Sequence, residues 1–295
     1  MAVRFYFRVK RFSGRLSFCM MEQKDDKIYT AKGEGFTVMD KKLIFFDIDG
    51  TIYDHDKQIP ASTKTAIRHL KERGHHVFIA TGRAPFMVSP VLEELGIDSF
   101  ISYNGQYVVF EGEVIYKNPI SAQSLEALLQ HSETCGHPLV FMGEEGMRSS
   151  VDDHPFVHEG IGSLKVEHPK HDPSYYKGRD IFQVLLFCEE PDEPQYGHFR
   201  EFDLVRWHER STDVLPAGGS KAEGIKKVIE KLPFDREDTY AFGDGLNDLQ
   251  MIEFAGTGVA MGNAVPELKK AADFITKPVD EDGIAHAVEA LGLLA

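Results

Sequence analysis

Leu43-Ile44-Phe45-Phe46-Asp47-Ile48-Asp49-Gly50-Thr51 reads as a strand that runs straight into chemistry. Four successive apolar residues with no polar alternation predict a strand covered on both faces, as in a parallel sheet. Asp47 and Asp49 stand two apart, so at an extended strand end both side chains leave on the same side. One carboxylate can attack there while the other transfers a proton. Gly50 permits close approach or a positive φ. Two such acids can also cap a turn, but the apolar run leading directly into them favours a site.

Working outward, a helix is expected over 60–73. Pro60 suits its first turn, Ala66, Ile67 and Leu70 share one face, and Gly74 suits its stop. A strand at 77–80 ends in Thr81-Gly82-Arg83. A helix through Val88, Val91, Leu92 and Leu95 stops at Gly96, and a strand at 100–103 ends in Asn104-Gly105. Residues 107–116 alternate as a hairpin around Glu111-Gly112. This strand–helix–strand order predicts an α/β fold, a doubly wound parallel sheet with helices on both faces.

Residues 119–206 depart from the pattern. They offer a helix near 124–132, apolar runs at 139–142 and 182–187, and between them a polar stretch rich in His, Pro and Asp. This reads as an inserted α+β cap domain. The alternation then resumes. A helix begins near Lys221 and stops at Pro233, and a strand at 239–242 ends in Gly243-Asp244-Gly245. Short strands follow at 259–261 and 274–275, then a helix at 283–291. The expected division is therefore an N-terminal extension 1–38, core 39–118, cap 119–206 and core 207–295.

A chain of 295 residues suits about two domains of ordinary size. Its net charge of −14 repels nucleic-acid backbone and anionic lipid, so neither is an expected partner. Cys19, Cys135 and Cys188 are odd in number and far apart, which argues against a disulfide framework and for a reducing, cytoplasmic setting. No apolar run approaches the roughly 18 residues of a membrane span. Residues 1–38 carry a net +4, leaving −18 on the remainder, and lack a clean period. Lys32-Gly33-Glu34-Gly35 can be encoded by a purine-rich run like a ribosome-binding site, and Met39 follows as a candidate start. The stretch is therefore expected to be translated upstream sequence without function.

The polar residues obey one rule. Asp47 and Asp49, Thr81, Asn104, and Asp244 with Asn247 and Asp248 all follow strands. In an open parallel sheet those ends share one edge, where ligands bind. Carboxylates of Asp47, Asp49, Asp244 and Asp248, with Asp54 as a further candidate, would repel one another there. A hard divalent ion held by oxygen, such as Mg²⁺, resolves that repulsion. Thr81-Gly82 offers a hydroxyl and backbone N–H groups at a helix start, suited to a phosphate oxygen. Lys221 also stands at a helix start, where the macrodipole disfavours a cation, which hints at a nearby anion.

Asp47-x-Asp49-Gly50-Thr51, Thr81-Gly82-Arg83, Asn104-Gly105, Lys221, Gly243-Asp244-Gly245-x-Asn247-Asp248, the run from Gly258 to Ala264 and Asp282-Gly283 come in an informative order. They resemble the haloacid dehalogenase superfamily, in its Cof-type branch of sugar-phosphate phosphatases with an inserted cap of type IIB. The resemblance covers about residues 39–295, and the cap matches only in placement and size. It implies an aspartyl-phosphate on Asp47, with Asp49 as acid and then base. It implies Mg²⁺ held by Asp47, Asp244 and the backbone carbonyl of Asp49, with Asp248 orienting the ion's water. Thr81, Gly82, Lys221 and Asn247 would hold phosphate oxygens of a small phosphorylated metabolite. Two rivals are a phosphomutase on the same scaffold and a non-enzymatic phospho-aspartate switch.

Other signals carry less. Gly256-Thr257-Gly258 opens like a dinucleotide fingerprint, but Met261 stands where the third glycine should. Asp152, Asp153, His154, His158 and Glu159 resemble a metal cluster, yet Pro155 is expected to spoil a helix there, and a polar loop is the plainer reading. Arg148 and His208 are treated alike. Trp207 is expected to pack near the return to the core.

Overall fold

The computed structural model describes residues 41–295, so the extension expected at 1–38 lies outside the described residues. The described chain divides into two units. One holds the chain up to Ile79 together with Val228–Ala295, and the other is Ala80–Lys227. No helix among the described residues is long and apolar enough to cross a membrane.

The first unit is a parallel α/β sheet. Its strands lie in the order Phe274–Ile275, Thr257–Ala260, Thr239–Gly243, Leu43–Phe46 and His76–Ala80. Leu43, Ile44, Phe45 and Phe46 are all 0% exposed, as an unbroken apolar run between two neighbouring strands requires. Phe45 stacks on Phe78 at 4.8 Å and Phe46 meets Phe242 at 4.6 Å, locking the strand to both neighbours. The helix Ala61–Glu72 buries Thr63, Ala66, Ile67 and Leu70, and Pro60 precedes it as the N-cap residue. Asp47 and Asp244 therefore follow adjacent parallel strands at the same edge, because register pairs Phe46 with Phe242.

The second unit is antiparallel. Phe100–Ser102, Tyr107–Phe110 and Glu113–Lys117 form a meander. Its turn takes left-handed backbone at both Glu111 and Gly112, with φ of 49° and 80°, the combination that matches strand twist in a two-residue hairpin. A separate five-stranded sheet runs in the order Met147–Ser149, Leu139–Gly143, Ile181–Leu186, Ser211–Pro216 and Phe202–His208. Phe141, Val184 and Val214 pack with Leu125 and Leu128 of the helix Ala122–Cys135. Val140, Met142 and Leu185 pack with Val157 and Ile161 of the helix Pro155–Ser163.

Two features differ from the sequence reading. The sheet continues past residue 206, since Phe202–His208 and Ser211–Pro216 form a hairpin within it. Ser211, Thr212 and Asp213 are polar, yet they open a strand that has partner strands on both sides. Pro155 also opens a helix rather than breaking one. At the first helical position its missing N–H costs no bond. His154 caps that helix, its Nδ1 accepting from the Phe156 N–H at 3.2 Å.

Candidate active site

In the first unit the carboxylates of Asp47, Asp244 and Asp248 each offer an oxygen, and these lie within 4.8 Å of one another. Asp47 is 6% exposed and Asp248 is fully buried. The Asp47 backbone N–H donates to the Phe242 carbonyl at 3.0 Å, so ladder bonding continues into the site. One Asp248 oxygen accepts from the backbone N–H groups of Asp244 and Gly245, each at 3.0 Å. That grip folds the 244–248 turn around its own acid.

Gly50 has φ +79°, and a Cβ built there would lie 2.1 Å from Asp244 Oδ2. The acid therefore occupies the space that any other side chain would fill. Asp244 is held from two further directions: Thr51 donates to Oδ1 at 3.4 Å and Asn263 Nδ2 to Oδ2 at 3.5 Å. Asn263 also donates to the Gly50 carbonyl at 2.8 Å, and its Oδ1 accepts from the Val279 N–H at 2.9 Å. Three clustered acids with oxygen donors only, two of them buried, suit a hard divalent cation.

Asp49 and Asp54 stand apart from this cluster. Asp49 is exposed, and its carboxylate pairs with Lys57 at 3.2 Å. Such exposed pairs are weak and do not fix a side chain. Asp54 accepts from the backbone N–H groups of Asp56 and Gln58 at 2.9 and 2.8 Å, closing its own loop. The expected crowding of five carboxylates is thus a gathering of three. Short polar loops give each outlying acid a nearer donor. Asn247 is exposed on the turn between Asp244 and Asp248.

In the second unit Thr81 is 3% exposed. Its hydroxyl accepts from the Arg83 N–H at 3.1 Å, and its carbonyl accepts from the Asn104 N–H at 3.1 Å. A Cβ on Gly82 would lie 3.0 Å from Asn104 Nδ2, so the two loops touch. Gly105 has φ +95°, and a Cβ there would lie 2.1 Å from the Ser220 carbonyl. Lys221, which opens the helix Lys221–Lys231 and is 1% exposed, is thereby held against the Asn104-Gly105 turn. Gly224 completes the contact, since a Cβ on it would lie 3.1 Å from the Gly105 Cα. Thr81, Gly82, Asn104 and Lys221 therefore belong to one neighbourhood.

Sequence reasoning named Thr51 and Asn263 only as parts of a pattern and missed Lys57 and Gly224 as contributors. The glycine at 224, inside an otherwise helical stripe, was the available signal for close backbone approach. It also missed Asp213. Burial pushes the Asp213 carboxyl up to about 7, while the neighbouring Gln183 and Trp207 side chains pull it down. A carboxyl raised by folding contributes its full stability below the unfolded value near 4, loses it as pH rises, and is a constant liability above about 7. Asp213→Asn is thus expected to raise the melting temperature at about pH 8 by a few degrees and to leave it unchanged near pH 4. Thermal unfolding at the two pH values checks this; an equal shift at both would refute it.

The fold, with its acids gathered at one sheet edge, defines an α/β class of hydrolase. Residues 44–288 match the haloacid dehalogenase-like hydrolase family, and the chain belongs to it. It is 69% identical over 256 residues to YkrA of Bacillus subtilis (strain 168), whose name assigns it provisionally to the phosphatases. That alignment covers 87% of this chain and all of the relative. A solved protein from Geobacillus kaustophilus HTA426 shares 57% identity at TM-score 0.83, over 86% of this chain and 99% of that one. The subclass IIB sugar phosphatase BT4131 shares 34% identity at TM-score 0.73, over 86% of this chain and 100% of that one. The chain is a phosphatase with the α/β core and cap of that superfamily.

Proposed function

We propose that the protein hydrolyses phosphate monoesters of small metabolites, sugar phosphates or compounds like them, through an aspartyl-phosphate on Asp47. Core segments 39–118 and 207–295 would carry the chemistry and an insert beginning near 119 would select the substrate, with its sheet strands running on to Pro216. The observation that carries this reading is the gathering of Asp47, Asp244 and Asp248 around a glycine that leaves them room.

The Asp47 carboxylate attacks phosphorus, and the bond from phosphorus to the ester oxygen breaks. Asp49 gives its proton to that departing oxygen. Asp49 then takes a proton from water, which attacks the acyl phosphate and returns Asp47 with release of inorganic phosphate. Thr81, Gly82, Lys221 and Asn247 hold the non-bridging oxygens, because phosphoryl transfer depends mainly on positioned charge. Mg²⁺ would be held by Asp47, Asp244 and the Asp49 carbonyl with Asp248 behind them. When bound it offsets the charge that otherwise sets carboxylate against phosphate. Thr51 and Asn263 keep Asp244 aimed, and Asp49 exchanges Lys57 for the leaving oxygen.

The test is phosphate release from a panel of sugar phosphates, FMN and pyridoxal phosphate. Release is expected with Mg²⁺, with loss in EDTA and recovery when Mg²⁺ is returned. Release that persists in EDTA would refute the metal assignment. Interconversion of two isomeric sugar phosphates without net release would establish the mutase instead. A long-lived phospho-Asp47 with no turnover would establish the switch.

A further inference from the structure

A second cluster lies wholly within the Ala80–Lys227 unit and takes no part in the chemistry above. Asp153 Oδ1 and His158 Nε2 are 2.5 Å apart, and the His158 and His168 rings are 4.6 Å between centroids. One donor atom from each of Asp153, His158 and His168 lies within 4.8 Å of the others.

His168 decides how the cluster is read. Its Nδ1 is 2.8 Å from the Pro169 carbonyl, and a carbonyl can only accept, so Nδ1 carries the proton. Nε2 is then a bare lone pair. That atom is shielded from solvent and has no hydrogen-bond partner. A buried acceptor left so costs about 1–3 kcal/mol. A histidine whose far nitrogen donates to a backbone carbonyl is also the usual arrangement behind a metal-ligating imidazole.

We propose that Asp153, His158 and His168 form a second divalent-cation site, taking Zn²⁺ or a similar imidazole-seeking ion in preference to Mg²⁺. Two neutral imidazoles and one carboxylate suit Zn²⁺ and disfavour Mg²⁺, which prefers an all-oxygen shell. Zinc-to-ligand bonds of about 2.0–2.1 Å place tetrahedral donors about 3.3 Å apart. Small rotations bring the three donors to this spacing. The proton that His158 Nε2 gives toward Asp153 leaves to solvent or moves to Nδ1 as the ion takes its place. Water fills the remaining position. The neighbouring acids Asp152, beside His171, and Glu159, beside Arg210, add negative potential. His154, in the same acidic and histidine-rich stretch, is occupied as a helix cap, and His168 stands beside His158 instead.

The consequence is a staple. His158 sits in the helix Pro155–Ser163, whereas His168 lies on the irregular segment that returns to the sheet. Beyond His168 the segment meets the sheet, where the Ser149 N–H donates to the Lys170 carbonyl at 3.0 Å. An ion on both histidines would tie helix to segment.

The full chain, stripped of metal and kept in excess Mg²⁺, is titrated with Zn²⁺ by calorimetry. One equivalent is expected to bind, with an accompanying rise in melting temperature. Binding should weaken by about 100-fold or more in His158→Ala/His168→Ala. It should persist in Asp244→Asn, which disables the catalytic acids and leaves the cap untouched. Circular dichroism confirms that each variant is folded, and His168→Gln provides a milder change if the double variant is not. Absence of binding by the native chain, undiminished binding by the double variant, or loss in Asp244→Asn would each overturn the proposal.

Discussion

Asp47→Asn is expected to lower phosphate release by about 10⁴-fold or more while the protein stays folded. The amide keeps the size and shape of the carboxylate but has no lone pair basic enough to attack phosphorus. The backbone around it is secured independently of the side chain, by the bond from the Asp47 N–H to the Phe242 carbonyl and by the sealed strand before it. Removing one of three gathered charges also relieves repulsion, so the melting temperature should hold or rise. Acid-quenched native enzyme, taken during turnover and digested, should carry phosphate on the peptide containing Asp47, and the variant should carry none. Undiminished release by the variant, or phosphate trapped elsewhere, would remove Asp47 from its role. Asp49→Asn should also cripple turnover, because the other acids near the site are engaged at Asp244 or within the Asp54 loop.

Gly50→Ala should have the next largest effect, although it removes no functional group. Its left-handed backbone, at φ +79°, costs an L-residue about 1–2 kcal/mol. Its new methyl would lie 2.1 Å from Asp244 Oδ2 and 2.6 Å from Asp244 Cγ. No rotation of alanine relieves that overlap, so Asp244 must move. Its bonds to Thr51 and Asn263 would then be lost or lengthened. Activity is expected to fall by about 100-fold or more, since misplacing a catalytic group by about 1 Å has that effect. The Mg²⁺ concentration needed for half-maximal release should rise, and the melting temperature should drop by a few degrees. A metal titration of phosphate release beside thermal unfolding checks both. An unchanged Mg²⁺ requirement would show that Asp244 is not a ligand.

The acidic pair was legible because its signals are local. An unbroken apolar run must be covered on both faces, and a two-residue spacing puts Asp47 and Asp49 on one side of a strand. Likewise Lys221 was conspicuous because a buried lysine at a helix start contradicts the helix's own field. The hairpin from Phe202 to Pro216 was obscured because partner strands, not its own polar residues, supply its burial.

From the amino-acid order alone came the α/β class, the strand before Asp47, the acids at 47, 244 and 248, and the residue types suited to phosphate. Each follows from a period or spacing of a few residues, which backbone geometry converts directly into direction. Only the tertiary structure decided which acids meet. It sent Asp49 to Lys57 and Asp54 into its own loop, brought Thr51 and Asn263 onto Asp244, and set His168 beside His158. Those choices depend on partners distant in the chain and on competition for the nearest donor, which no local pattern encodes.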